Sequence, residues 1–69
     1  MSKLLKVKAG HGDVTVAEWD GAGPQFEAAR KEFDAHRRQG FTGFTKDSQV
    51  FELTPDVDEV VLISQKVAG

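Results

Sequence analysis

The stretch EVVLISQKV at residues 59–67 decides which fold this 69-residue chain adopts. It contains four consecutive apolar side chains, Val60, Val61, Leu62 and Ile63. Successive side chains of a strand point to opposite faces, so this run is apolar on both faces. Such a pattern fits a central strand better than an edge strand. We therefore expect residues 59–67 to form a central strand of a sheet.

The amino-terminal residues predict a β-hairpin. Residues 3–9 alternate as a half-buried strand does, with Leu5, Val7 and Ala9 on one face and Lys6 and Lys8 on the other. The turn sequence GHGD follows at residues 10–13, and its glycines tolerate a positive φ. Beyond it, VTVAEW at residues 14–19 is rich in residues that favour strands.

The second strand of this hairpin leaves one choice open. Alternation puts Trp19 on the same face as Thr15 and Ala17, and it puts Val14 and Val16 on the opposite face. If the two valines belong to the core, Trp19 is exposed or rests at the end of the strand.

Residues 24–39 predict one amphipathic helix. Pro24 suits the first helical position, because a backbone N–H at that position has no partner within the helix and proline loses nothing by lacking one. Phe26, Ala29 and Phe33 recur at spacings of three and four and predict the buried face. Gly40 suits the left-handed cap that ends a helix.

Residues 41–45 and 49–53 predict a second hairpin. Gly43 lies inside the first of these strands, where a glycine predicts a bulge or an edge. In the second strand, alternation puts Phe51 and Leu53 on one face. The phenylalanines with core spacing are Phe26, Phe33, Phe51 and either Phe41 or Phe44.

The elements follow one another in the order ββαβββ, with a single capped turn at residues 54–59 before the last strand. Two hairpins cannot bury a five-stranded sheet alone, so the helix must cover one face of a two-layer α+β domain that spans residues 1–69. A central last strand lies beside the first strand and parallel to it. The alternative is two independent hairpins with the last strand exchanged into a neighbouring subunit.

This order of elements resembles that of the ubiquitin-like β-grasp proteins. The ending also resembles that of small bacterial proteins with an FxxxPxxxEVVL-like stretch and a glycine tail, here Phe51, Pro55, residues 59–62 and Gly69. The resemblance implies a β-grasp fold and a protein-interaction module, or a modifier that is conjugated through the carboxyl-terminal Gly69. Ala68 stands where such modifiers usually have a second glycine.

Composition narrows the classes of function. The chain carries 9 Lys and Arg against 11 Asp and Glu, mixed along the sequence, for a net charge of −2, and it lacks the basic stripe of a nucleic-acid binder. Its longest apolar run, residues 60–63, is far shorter than the ~20 residues of a membrane span. Residues 1–5 do not lead into a signal-peptide core. We therefore expect a cytoplasmic protein with no nucleic-acid or membrane partner.

The sequence offers few groups for catalysis. It contains no cysteine, and His11 and His36 lack the i,i+4 spacing of a helical metal pair. None of its serines lies in a G-x-S-x-G elbow. Asp56, Asp58 and Glu59 lack the glycine and the distal acid of a calcium loop and suit the capping of a turn. We therefore expect a protein that is not an enzyme and that needs no metal or cofactor.

The last strand also predicts a contact surface. Only one of its apolar pairs can meet the helix, and the other lies on the open sheet face. We select Val61 and Ile63 as partner-binding residues. Three lysines are predicted to rim this surface and to steer an acidic protein partner: Lys6, Lys8 and Lys66. Two other classes suit an acidic, cysteine-free chain, namely an accessory subunit of a larger assembly such as a viral particle and an inhibitor that occludes a host protein.

Overall fold

A computed structural model of the chain describes residues 1–8 and 12–64. The helix and strands are β1 (Ser2–Lys8), β2 (Gly12–Trp19), α1 (Pro24–Arg38), β3 (Phe41–Phe44), β4 (Gln49–Val50) and β5 (Glu59–Ser64). Their order is the ββαβββ order that the sequence predicts. The fold is α+β, with one helix and one five-stranded mixed sheet.

The sheet has β5 at its centre, in the order β2-β1-β5-β3-β4. β5 pairs parallel with β1, where Leu4 lies opposite Val60, and antiparallel with β3, where Gly43 lies opposite Leu62. The prediction of a central last strand that is parallel to the first is confirmed.

The core lies between α1 and one face of the sheet. Val60 and Leu62 have no solvent exposure and pack under the helix, so the alternate residues Val61 and Ile63 point to the other face. The remaining members of the core cluster are Leu4, Trp19, Phe26, Ala29, Phe33 and Leu53. Burial of the predicted helix face is therefore confirmed.

A β-bulge in β2 decides the position of Trp19. The register pairs Leu4 with Ala17 but Leu5 with Thr15, so Val16 is an extra residue on β2. The extra residue reverses the alternation. Ala17 and Trp19 therefore share the helix-side face with Leu4, whereas Thr15 points to the other face with Leu5. Trp19 is only 1% exposed. In a strictly alternating strand, Trp19 and Thr15 would lie on the same face.

The prediction that Gly43 marks a bulge or an edge is wrong. β3 lies between β5 and β4, and its register with β5 runs without a shift. A Cβ atom on Gly43 would lie 2.7 Å from Cε1 of Phe33 and 3.3 Å from Cγ1 of Val60. Gly43 is therefore required because the helix packs directly against the backbone of β3.

The prediction that Phe51 belongs to the core is also wrong. β4 ends at Val50, because the chain leaves the sheet there to cross toward the start of β5. Phe51 is 63% exposed, and its ring lies 5.8 Å from the guanidinium of Arg37, whose Nη1 donates to the Phe51 carbonyl at 2.6 Å. Leu53, which was predicted to share its face, is buried.

Both ends of α1 follow the predicted signals. The helix has Pro24 in its first turn. After its carboxyl end, Gly40 adopts a φ of 102°, in the left-handed region. The single turn expected at residues 54–59 is closed by the Val57 N–H, which donates to the Thr54 carbonyl at 3.5 Å.

The close approach at Gly43 predicts a steric penalty for a larger residue. Gly43→Ala should lower the free energy of unfolding by about 1–3 kcal/mol, because the buried Phe33 ring has no room to move. Urea denaturation measures the loss. Phe33→Leu makes space for the new methyl group, so the double variant should lose less than the sum of the two single variants. Additive losses would show that the two side chains do not meet.

The exposure of Phe51 predicts a small effect of truncation. Phe51→Ala should change the free energy of unfolding by less than about 1 kcal/mol, whereas Phe33→Ala should cost about 3–5 kcal/mol because it leaves a cavity in the core. Thermal unfolding of both variants checks this contrast. A loss at Phe51 that approaches the loss at Phe33 would contradict the exposed position.

Candidate functional site

Apolar side chains from three neighbouring strands meet on the sheet face opposite α1. We call this the open face and define its apolar residues as Leu5, Val7, Phe44, Val61 and Ile63. Leu5, Val61 and Phe44 form one row across the sheet, since Val61 lies opposite both of the others. Val7 and Ile63 lie two residues further along β1 and β5, and they are 38% and 39% exposed. The described part of the chain thus leaves an apolar row without a covering helix.

A groove of about 610 Å³ lies at one end of the open face. Its floor is formed by Phe44, Val61 and Ile63. The groove has two walls, the turn at residues 45–47 and the segment at residues 57–59 that leads into β5, and both lie at the end of the sheet where β3 ends and β5 begins. The groove therefore combines an apolar floor with walls of loop residues.

The turn wall is held by the hydroxyl group of Thr45. Its Oγ1 accepts hydrogen bonds from the backbone N–H groups of Asp47 and Ser48, at 3.3 and 3.2 Å. The Thr45 N–H donates to the Ser48 carbonyl at 2.8 Å. These bonds fix the backbone between β3 and β4, and with it the positions of Lys46 and Asp47 at the groove.

The second wall, at residues 57–59, is held by Trp19 and by the start of β1. The indole Nε1 of Trp19 donates to the Pro55 carbonyl at 3.1 Å, and its ring makes an edge contact with Phe26, with centroids 5.9 Å apart. The Lys3 N–H donates to the Asp58 carbonyl at 3.0 Å. Trp19, a core residue, therefore also positions the segment that leads to the groove.

Acidic side chains dominate the border of the open face. Lys3 lies between Glu18 on β2 and Glu59 on β5 in the sheet register, and Asp13 lies opposite Val7. At the groove, Glu59 is joined by three further charged residues: Lys46, Asp47 and Asp58. The border is thus mixed in sign, with more carboxylates than ammonium groups among the described side chains.

The structure places Lys6 on the wrong face for the predicted lysine rim. Lys6 lies opposite Leu62, and its Nζ is 5.4 Å from the centroid of the Phe41 ring. That ring packs against the core and makes an edge contact with His36 of α1. Lys6 therefore lies on the helix side, because β1 turns Leu4 and not Leu5 toward the helix. The Lys8 side chain, Lys66 and Gly69 lie outside the described residues.

Two of the five apolar residues were selected from the sequence, Val61 and Ile63. Phe44 was missed because either Phe41 or Phe44 fitted the core, and the structure assigns the core position to Phe41. Leu5 and Val7 were recognised as one face of a strand, but the strand alone does not reveal which face the helix covers. The consecutive pair Leu4 and Leu5 was the one signal in β1 that both faces are apolar.

The histidines and other candidate ligands do not converge in the described chain. The ring Nδ1 of His36 lies 2.7 Å from the Glu32 carbonyl, within α1, and His11 lies outside the described residues. Across residues 1–8 and 12–64, no three His, Cys, Asp or Glu side chains could hold a metal ion together. The single helix of that part is not long and apolar enough to cross a membrane.

Comparison with known proteins gives no assignment: no protein-family model, curated protein or solved structure matches this chain. A functional proposal therefore depends on the fold, the open face and the groove.

The hydrogen bond from Trp19 predicts a link between the core and the groove wall. Trp19→Phe removes the indole donor, so the free energy of unfolding should fall by about 1–3 kcal/mol. Amide exchange at Lys3, whose N–H bonds the same wall, should become faster than at other β1 residues. Hydrogen exchange followed by NMR measures this difference.

Phe26→Leu serves as the control, because it removes the ring contact with Trp19 and keeps the indole donor. It should lower stability without a selective effect at Lys3. The same exchange profile in both variants would contradict a specific role for the indole group.

Proposed function

We propose that this protein is a small β-grasp module that binds a protein partner through its open face, without catalysis. The resemblance to ubiquitin-like β-grasp proteins implies a mixed sheet with one helix across it. The α+β fold, with β5 central and parallel to β1, is compatible with that expectation.

One observation carries the proposal: a row of apolar side chains crosses the sheet on the face that α1 leaves open. Single exposed apolar residues are common on soluble proteins, whereas contiguous patches mark contact surfaces. Leu5, Val61 and Phe44 are adjacent by register, and they continue into Val7 and Ile63. Covering these side chains with a partner would remove apolar surface from water, at about 25 cal/mol per Å².

The rigidity of the site supports binding. The floor belongs to two inner strands, β3 and β5, and each wall is held by hydrogen bonds from Thr45 or from Trp19 and Lys3. A preformed surface loses little conformational entropy when a partner docks. Conjugation through Gly69 is a separate prediction, and that residue lies outside the described chain.

The proposal is tested with an exposed residue of the open face. Ile63→Asp places a charge on the apolar patch, so protein partners recovered with the full chain from its native cell should be lost at least about tenfold. Quantitative mass spectrometry of the recovered proteins measures the loss. Val61→Thr keeps a β-branched side chain and should give a smaller loss in the same direction.

Phe51→Ser is the matched control, because it removes an exposed apolar side chain that lies beside Arg37 and away from the open face. It should leave the recovered proteins unchanged. Circular dichroism confirms that each variant is folded. Partners that survive Ile63→Asp and Val61→Thr would contradict the proposed surface, and covalent adducts lost only on removal of Ala68 and Gly69 would support a modifier instead.

A further inference from the structure

We infer that the groove on the open face accepts a basic and apolar segment of a partner protein. The segment would insert a large apolar side chain over Phe44, Val61 and Ile63 and present Lys or Arg to the carboxylates of the walls. This inference rests on the proposed function, because it names the chemistry of the partner that the open face binds.

The sign of the border charges carries the inference. Three carboxylates stand at the groove, from Asp47, Asp58 and Glu59, against the ammonium group of Lys46. On the far side of the patch, Glu18 lies opposite Lys3 and Asp13 lies opposite Val7. Charges at the rim of an interface select partners of opposite sign and repel those of like sign. A lysine rim would favour an acidic partner, whereas these carboxylates disfavour one.

The basic groups of the helix lie elsewhere. His36, Arg37 and Arg38 form the last turn of α1. Arg37 donates to the Phe51 carbonyl, and the His36 ring contacts Phe41 on the helix side of the sheet. The whole of α1 carries four Lys and Arg against three acidic residues, so the helix is less acidic than the described border of the open face.

The dimensions of the groove favour a short segment over a folded surface. Its volume of about 610 Å³ is in the range of sites that enclose a small ligand, about 300–1,000 Å³, so it has room for a few side chains. The walls at residues 45–47 and 57–59 border one end of the apolar floor, where β3 ends and β5 begins. Carboxylates on both walls can receive a Lys or Arg that lies next to the inserted apolar residue.

A second copy of this chain fits the open face less well than a basic segment. Two open faces brought together would oppose the same acidic borders, and like charges across an interface cost free energy. Anionic lipid headgroups would meet the same repulsion.

Selection from a random peptide library tests the inference. A phage library of 12-residue peptides is selected on the full-length chain at 150 mM NaCl and depleted in each round on Ile63→Ser, which removes the apolar side chain without adding a charge. Enriched peptides should carry a net positive charge and at least one large apolar residue. Neutral or acidic peptides that require Ile63 would overturn the inference and leave the proposed surface standing. Failure to enrich any peptide over Ile63→Ser would contradict the proposed surface as well.

Neutralisation of the groove carboxylates provides the second measurement. The enriched peptide is titrated by calorimetry against the variant Asp47→Asn/Asp58→Asn/Glu59→Gln, which should bind about tenfold more weakly. The control Glu32→Gln/Asp34→Asn/Glu52→Gln makes the same change in net charge at exposed residues away from the groove, and it should bind within twofold of the unaltered chain.

Equal weakening by the two triple variants would overturn the inference, because net charge alone would then explain the affinity. Analytical ultracentrifugation of the unaltered chain tests whether a second copy of the chain occupies the open face. A concentration-dependent dimer that disappears with Ile63→Asp would identify a second copy on the open face and would also overturn the inference.

Discussion

The architecture depends on one constraint: β5 is apolar on both faces, and the described chain has one helix to cover them. The Val60 and Leu62 side chains take the covered face and are completely buried. Their neighbours Val61 and Ile63 must then point the other way, because side chains alternate along a strand. The central position of β5 adds Leu5 and Phe44 to the same row. The candidate site is therefore a geometrical result of how the core is built.

The core and the groove also share their supporting contacts. Trp19 belongs to the core, and its indole group holds the Pro55 carbonyl in the connection that becomes a groove wall. Phe33 packs so closely on Gly43 that β3 is fixed against the helix, and Phe44, the next residue, forms part of the groove floor. Loss of packing at either place would move the open face with it, so the shape of the open face depends on the packing of the core.

The sequence predicted those parts of the fold that local signals encode. The proline and glycine at the helix ends, and the apolar run of β5, were sufficient for the element order and for a central strand parallel to the first. Contacts between residues far apart in the sequence could not be predicted from local patterns. Gly43 is needed for close packing against Phe33, which lies ten positions away in the sequence. The bulge at Val16 changes the face of the β2 residues that follow it, and no distinctive residue marks it in the sequence.

The candidate site was predictable to a similar degree. Val61 and Ile63 followed from the two-faced strand once one apolar pair was assigned to the core. The misplacement of Lys6 arose from the same ambiguity, because consecutive leucines in β1 do not show which of them meets the helix. The bulge of β2 lies on an outer strand of the sheet. β2 and β4 are the outer strands; the extra residue interrupts the ladder of one, and the other has only two residues. Neither edge is a good template for a foreign strand, which protects the sheet from edge-to-edge aggregation.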